Sequence, residues 1–370
     1  MSPINVAVLG FGMSATVFHI PFLLAAPDRF RLHSILERSA TPTASKARDA
    51  YPGVKVVTTI DDVLADDQVD AVWVLTTNST HFEYAQRALE AGKHVVVEKP
   101  ITPTSDEAVQ LANLARDKDL VLAVYQNRRW DADFLTIKDL IDKGTFGDLS
   151  EFQSNFDRFR NEAAVTKVWK EKNLPGSGLA YDLGSHLVDQ LLALFGTPTH
   201  VTAHLANSRL IGNPSVPDSF RIQLHYPPSS TRRLPLVAVA QSSSLSLQNP
   251  QQRFLVRGTD AAFVKHGLDP QEDALKRLGP DAPPSAEFGV EAPEHAGTLW
   301  TRGATGTGGE PTRVESVPGR YQSWFDNVAE AIESKDRTKL IVTPEQAALT
   351  IKIIELAIRS SEEGRTIAVE

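Results

Sequence analysis

Three ionisable side chains stand out by type and spacing. Asp182 and His186 lie four residues apart in Tyr181-Asp-Leu-Gly-Ser-His-Leu-Val-Asp189, which reads as the start of a helix. At that spacing two side chains share one helix face, about one turn apart. A carboxylate and an imidazole so placed form a proton-handling pair. A solvated polar face would carry the same two residues, so the surroundings decide. Gly176, Gly178 and Gly184 crowd the helix entry, and Leu187, Val188, Leu191, Leu192 and Leu194 give the helix an apolar side that anchors it. The third group is Lys99, where the apolar run His94-Val-Val-Val97 stops at Glu98-Lys99-Pro100. A lysine at a strand's carboxyl end stands at the sheet edge where open α/β sheets bind ligands.

The elements that must position these groups begin at the amino terminus. Ile4-Asn-Val-Ala-Val-Leu9 is a β-type run followed by Gly10-Phe-Gly-Met-Ser-Ala15 and a helical segment to about Ala26. Strand, glycine-rich turn and helix make a G-x-G-x-x-G/A match informative. Gly10 permits the tight turn, and Gly12 lets backbone approach a pyrophosphate. Phe11, Met13 and Ser14 complete the turn, and Ala15 supplies the small third position. The helix start then turns free N–H groups toward the phosphates. Glu37 ends the second strand, where an acidic residue would bind a ribose diol and favour NAD. Arg38 and Ser39 follow at once, and a guanidinium with a hydroxyl suits a 2′-phosphate. The reading leans to NADP, with NAD as the alternative. Val69 to Leu75 is a buried-strand pattern ending in the polar loop Thr76-Thr-Asn-Ser-Thr-His81, which places Thr76, Thr77, Asn78 and His81 at the ligand edge. Thr104-x-x-Glu107 matches a capping box. Strands alternating with helices predict a parallel, doubly wound sheet over residues 1–130.

After a linking helix over 133–143 the pattern changes. Leu149–Phe159, His200–Leu205, Phe220–Tyr226, Leu236–Ser242 and Phe254–Arg257 read as strands with few helices between them. They predict a large, mostly antiparallel open sheet, covered on one face, in a second α/β domain over 131–370. The other face is a candidate for pairing with another subunit. A helix over 343–364 is expected to pack back on the first domain. Residues 268–312, rich in Pro, Gly and charge, read as a long excursion loop.

Composition limits the chemistry. The chain has 370 residues, enough for two domains, and no cysteine, which excludes disulfides, thiolate catalysis and Cys-ligated metal. No metal site is expected. The net charge of −8, from 38 basic and 46 acidic residues without a basic run, argues against nucleic acid or an anionic membrane as the main partner. No apolar stretch is long enough for a transmembrane helix, and the start reads straight into a strand, so a soluble cytoplasmic protein is expected.

Taken together, Gly10-Phe-Gly-Met-Ser-Ala15, Ala91-Gly-Lys-His-Val-Val-Val-Glu-Lys-Pro100 and Tyr181–Asp189 resemble the three signatures of the glucose–fructose oxidoreductase / inositol dehydrogenase / rhizopine catabolism (Gfo/Idh/MocA) family. Phe18-His-x-Pro21, Gln126-Asn-Arg-Arg-Trp-Asp131, Phe134–Lys138 and Gln271–Leu275 resemble its NADP-dependent scyllo-inositol dehydrogenase subgroup. Ala15 departs from the third glycine, and Leu179-Ala180 stands where many members are richer in glycine. The resemblance implies a Rossmann domain followed by an open-sheet α/β domain, a polyol, inositol or sugar-like substrate, and a homodimer or homotetramer through the sheet. It implies that Lys99, Asp182 and His186 form the catalytic set. Asn78, His81, Glu98, Asn127 and Arg128 are implied to line the cofactor or substrate site. Trp169 is a candidate sugar-stacking ring, with core packing as the alternative.

Oxidising a secondary alcohol requires a base for the hydroxyl proton and an acceptor for the hydride, the latter being the cofactor's part. Either Lys99 or His186 is expected to take the proton, with Asp182 orienting substrate or imidazole. Lys99 and His186 must then converge beside a nicotinamide. The competing reading is a catalytically silent dinucleotide-binding regulator on the same fold.

Overall fold

The apolar runs of the first 125 residues form six short strands: β1 (Ile4–Leu9), β2 (Phe30–Leu36), β3 (Lys55–Val57), β4 (Ala71–Val74), β5 (His94–Val97) and β6 (Leu122–Val124). They pair in parallel in the order β3-β2-β1-β4-β5-β6. The order reverses between β1 and β4, the switch point at which such sheets open a crevice. Ala71, Val72, Trp73 and Val74 are all buried, as parallel strands covered on both faces must be. Thr104 accepts a hydrogen bond from the Glu107 N–H at 3.3 Å and opens the helix Ser105–Asp117, the predicted cap.

The computed structural model describes residues 2–162, 172–278, 287–303 and 306–370, which fall into two units. The first holds residues 1–127, 271–288 and 320–348, and the second 128–270, 289–319 and 349–370. The first unit thus includes 271–288 and 320–348, which the sequence places in the second domain. The cause is aromatic. In the helix Gln322–Glu333, Phe325 stacks on Phe22 with ring centres 4.9 Å apart. Trp324 meets Tyr125 edge-on at 4.9 Å and donates its indole N–H to the Val124 carbonyl at 3.1 Å.

The second unit is built on nine strands: β7 (Leu149–Asn155), β8 (His200–Ala206), β9 (Ser219–Tyr226), β10 (Leu236–Ser243), β11 (Gln252–Gly258), β12 (Ala261–His266), β13 (Gly297–Thr301), β14 (Thr312–Val314) and β15 (Ile367–Ala368). Their order is β14-β13-β12-β11-β7-β10-β9-β8-β15, and only β7 and β10 run parallel. Along β9, Phe220, Ile222, Leu224 and Tyr226 are buried, while the residues between them are half-exposed. This period of two gives one core face and one wetter face. The helix Ser185–Phe195 covers the core face, with Phe195 5.2 Å from Phe152 and 6.0 Å from Tyr226 between ring centres. The stretch read as an excursion loop contains the helix Gln271–Arg277 and strand β13. Among the described residues no helix is long and apolar enough to cross a membrane.

Candidate active site

The glycine-rich turn follows β1 at the switch point. Gly10 has φ +98°, and a Cβ there would lie 3.0 Å from the Leu75 carbonyl oxygen and 3.2 Å from Thr76 Cγ2. Only glycine takes that conformation at that approach. Gly12 is exposed, and a Cβ added to it would meet nothing within 4 Å. The helical segment that starts at Ser14 has no side-chain cap and no acidic residue in its first turn. No side chain thus competes with an anion at this electropositive helix start. Ala15 is buried, filling the tight third position. A glycine-shaped turn, open space over Gly12 and an uncapped helix start fit a dinucleotide's pyrophosphate. Phe11 and Met13 flank the turn, half-buried and exposed respectively. Thr76, Thr77 and Asn78 line the adjoining loop after β4, where Thr76 and Thr80 share a hydroxyl hydrogen bond at 2.6 Å. Asn127 ends the first unit and is buried.

Lys99 follows β5 and is half-buried. Its backbone N–H donates to Glu98 Oε2 at 2.9 Å. The Glu98 carboxylate is buried and faces inward: Ser14 Oγ and His19 Nε2 both meet its Oε1, the latter at 3.1 Å. Burial would raise the Glu98 pKa, but the donors from His19 and Ser14 hold it below the usual carboxylate value. His81 is fully buried, with Nδ1 2.8 Å from the Pro100 carbonyl oxygen and Nε2 3.3 Å from that of Thr76. His81 thus stands between the loop after β4 and the turn after β5. Lys99–Pro100 is a cis peptide.

Glu37 and Arg38 part ways at the end of β2. The Glu37 carboxylate accepts from Ser45 Oγ at 2.7 Å, Ala47 N at 3.0 Å and Lys46 N at 3.2 Å. Burial alone would raise its pKa, and these donors bring it below the ordinary value. Both oxygens thus accept from the start of the helix Lys46–Ala50. Arg38 and Ser39 are exposed, and Arg38 has no acidic partner among the described residues.

In the second unit, the Asp182 segment departs from an ordinary helix. Ala180–Gly184 forms a π-helical turn, and Ser185–Phe195 continues as α-helix. Such turns are rare and concentrate at functional sites. Gly178, at φ +87°, leads into it, and a Cβ on Gly184 would touch the Phe220 ring at 3.5 Å. Asp182 is half-buried and His186 buried. Burial pushes the neighbouring Tyr181 phenol up to about 12, so it stays a hydrogen-bond donor at neutral pH. Arg128 is buried, pairs with Asp131 at 3.3 Å and lies 4.9 Å from the Phe156 ring centre. Trp169 lies outside the described residues.

Sequence reasoning missed what fixes this segment. Gln190 Nε2 donates to the Arg128 carbonyl at 2.7 Å, and Arg129 grips Asp189 in a two-pronged pair at 2.8 and 2.7 Å. Arg253, fully buried, reaches Gln190 Oε1 and Asp133 Oδ2, each at 2.8 Å. Asp189 and Gln190 stand three and four residues after His186, so the same side of the helix holds the short helical turn that carries Arg128 and Arg129. The available signal was charge inside apolar runs: Asp189-Gln190 within Leu-Val…Leu-Leu, and Arg253 before Phe-Leu-Val.

The chain matches the families described as "Oxidoreductase family, NAD-binding Rossmann fold" over residues 4–126 and "Oxidoreductase family, C-terminal alpha/beta domain" over residues 138–369. It is 44% identical to an uncharacterized oxidoreductase of Schizosaccharomyces pombe over 99% of both chains. It is 37% identical to the scyllo-inositol 2-dehydrogenase (NADP(+)) of Bacillus subtilis over 99% of this chain and 96% of that one. The solved structure of an oxidoreductase from Bacillus subtilis superposes with a TM-score of 0.87 at 36% identity, covering 100% of this chain and 99% of that one.

Proposed function

Since the chain belongs to the Gfo/Idh/MocA oxidoreductase family, we propose that it is an NADP-dependent dehydrogenase or reductase interconverting a secondary alcohol and a ketone or aldehyde on a polyol, inositol or sugar-like substrate. The observation that carries this reading is the turn of Gly10 and Gly12 set beside the carboxyl ends of β4 and β5, where Lys99 emerges. A bound nicotinamide dinucleotide supplies the hydride donor or acceptor. Gly10, Phe11, Gly12, Met13 and Ser14 are assigned to its pyrophosphate turn, and Thr76, Thr77, Asn78 and Asn127 to the flanking loops. Arg38 and Ser39 are assigned to a 2′-phosphate. Supporting NADP is the exposed Arg38 beside a Glu37 whose oxygens are already occupied. The Bacillus relative is named for NADP(+) as well.

Lys99 is assigned to the substrate oxygen, taking its proton in oxidation and returning it in reduction. His186 is the second proton-handling group and Asp182 orients it or the substrate, while Arg128 contributes a substrate contact. The half-exposed face of the nine-stranded sheet is assigned to self-association as a homodimer or homotetramer, which sedimentation tests. An absorbance screen of inositols, sugars and aldehydes with NADP(H) and NAD(H) in parallel tests the reaction. Lys99→Ala and His186→Ala should each lower kcat by about a hundredfold or more at saturating cofactor. Near wild-type turnover in both variants would remove the assignment. No cofactor consumption with any alcohol would leave a dinucleotide-binding regulator.

A further inference from the structure

The helix after the glycine-rich turn does not begin as an α-helix. Ser14–His19 is π-helical, with the Ile20 N–H donating to the Ala15 carbonyl five residues back. In an α-helix, positions five apart point roughly 140° away from each other. A register of i to i+5 stacks them instead. Ser14 and His19 are five apart, and both meet one oxygen, Glu98 Oε1. The other oxygen of Glu98 accepts from the Lys99 N–H at 2.9 Å. One buried carboxylate therefore binds the first turn of the nucleotide helix and the lysine turn together.

The fixture is held from behind. His19 is fully buried, its ring 4.1 Å from that of Tyr125, and the Tyr125 hydroxyl donates to the Phe18 carbonyl at 3.0 Å. Relaxation of the turn to an α-helix would swing Ser14 and His19 apart, so only one could keep the carboxylate. The π turn is thus the geometry that this shared acceptor requires.

We propose that Glu98 is a positioning residue that couples dinucleotide loading at the Gly10–Ala15 turn to the setting of Lys99, with the Ser14 hydroxyl as the connecting link. Phosphate seated on the N–H groups of the turn fixes the Ser14 backbone, hence its hydroxyl, hence Glu98 and the Lys99 amide it holds. The coupling is reciprocal, so a fixed lysine turn also favours the loaded turn. The inference rests on the dehydrogenase reading for its role in turnover, but not for the coupling itself.

The test uses the full chain and the variants Ser14→Ala, Ser14→Thr, Glu98→Gln and the Ser14→Ala/Glu98→Gln double. Hydrogen exchange at the amides of Val97, Glu98, Lys99 and Ile101 is followed with and without saturating NADP+, whose binding is measured separately by fluorescence titration. In the wild type, NADP+ should slow this exchange about tenfold or more, and in Ser14→Ala by less than about twofold, although NADP+ still binds. Ser14→Thr, which keeps the hydroxyl, should retain the wild-type slowing. In turnover, Ser14→Ala should lower kcat about tenfold with the KM for NADP+ within about threefold, and the double variant should be no worse than Glu98→Gln alone. Equal slowing in the wild type and Ser14→Ala, or kcat losses that multiply in the double variant, would overturn the proposal. If the wild type oxidises no alcohol, the dehydrogenase reading fails while the exchange data still decide the coupling. If Glu98→Gln does not fold, the two serine variants decide it.

Discussion

Replacing Asp189 by alanine gives a direct test of how the helix carrying His186 is fixed. Asp189 and Arg129 are 1% and 8% exposed, and the guanidinium meets both carboxylate oxygens at 2.8 and 2.7 Å. Burial works against the guanidinium's charge, and Asp189 more than offsets it. Asp189→Ala removes little apolar surface but takes both carboxylate oxygens away from a buried cation, and breaking a buried pair by deleting one partner costs about 3–5 kcal/mol. For a unit of this size that corresponds to a fall of roughly 6–20 °C in unfolding midpoint. The same reasoning predicts that Arg129→Met/Asp189→Leu, which removes both charges and fills the space, recovers stability to within about 2 kcal/mol of wild type. Urea unfolding followed by far-UV circular dichroism and tryptophan fluorescence reads both variants. A loss under about 1 kcal/mol in Asp189→Ala, or a double variant less stable than the single one, would refute the argument that desolvated charge holds the two segments together.

Two further outcomes follow from particular contacts. Arg38→Ala should raise the KM for NADPH by about tenfold or more while changing that for NADH less than about threefold, and Glu37→Gln should leave the ratio of the two within about threefold, as parallel steady-state kinetics would show. His81 has a pKa lowered chiefly by burial, against the pull of the Pro100 and Thr76 carbonyls. A depressed folded value means stability that is present above the unfolded value of 6.5 and is lost as pH falls below it. His81→Asn should remove up to about 1.4 kcal/mol per pH unit of that slope, measured as unfolding midpoints between pH 7 and pH 5.

Much of the frame was legible in the sequence because backbone requirements leave local marks. Gly10 must be glycine for its φ and its approach to Leu75, and the all-apolar run Ala71–Val74 announces a strand covered on both faces. The direction of side chains at strand ends was not legible. Glu37, His81 and Glu98 all stand at the ligand edge, yet their partners come from Ser45–Ala47, Pro100 and Ser14–His19, eight to 84 residues away in the chain. The π turns left no trace in helix propensity either. At Ser14–His19 the register follows from a carboxylate on another strand, which no local window contains. The membership of the helix Gln322–Glu333 in the first unit was hidden for the same reason: Trp324 and Phe325 look apolar, but nothing local says against what.

That membership bears on biosynthesis. A ribosome that has released the six parallel strands has not yet made Trp324 or Phe325, so Phe22 and Tyr125 emerge without the rings that cover them. The nucleotide-binding unit must wait, sticky and incomplete, until Trp324 and Phe325 have been made. An open reading frame truncated after residue 127 would yield a chain prone to aggregate rather than a free-standing cofactor module.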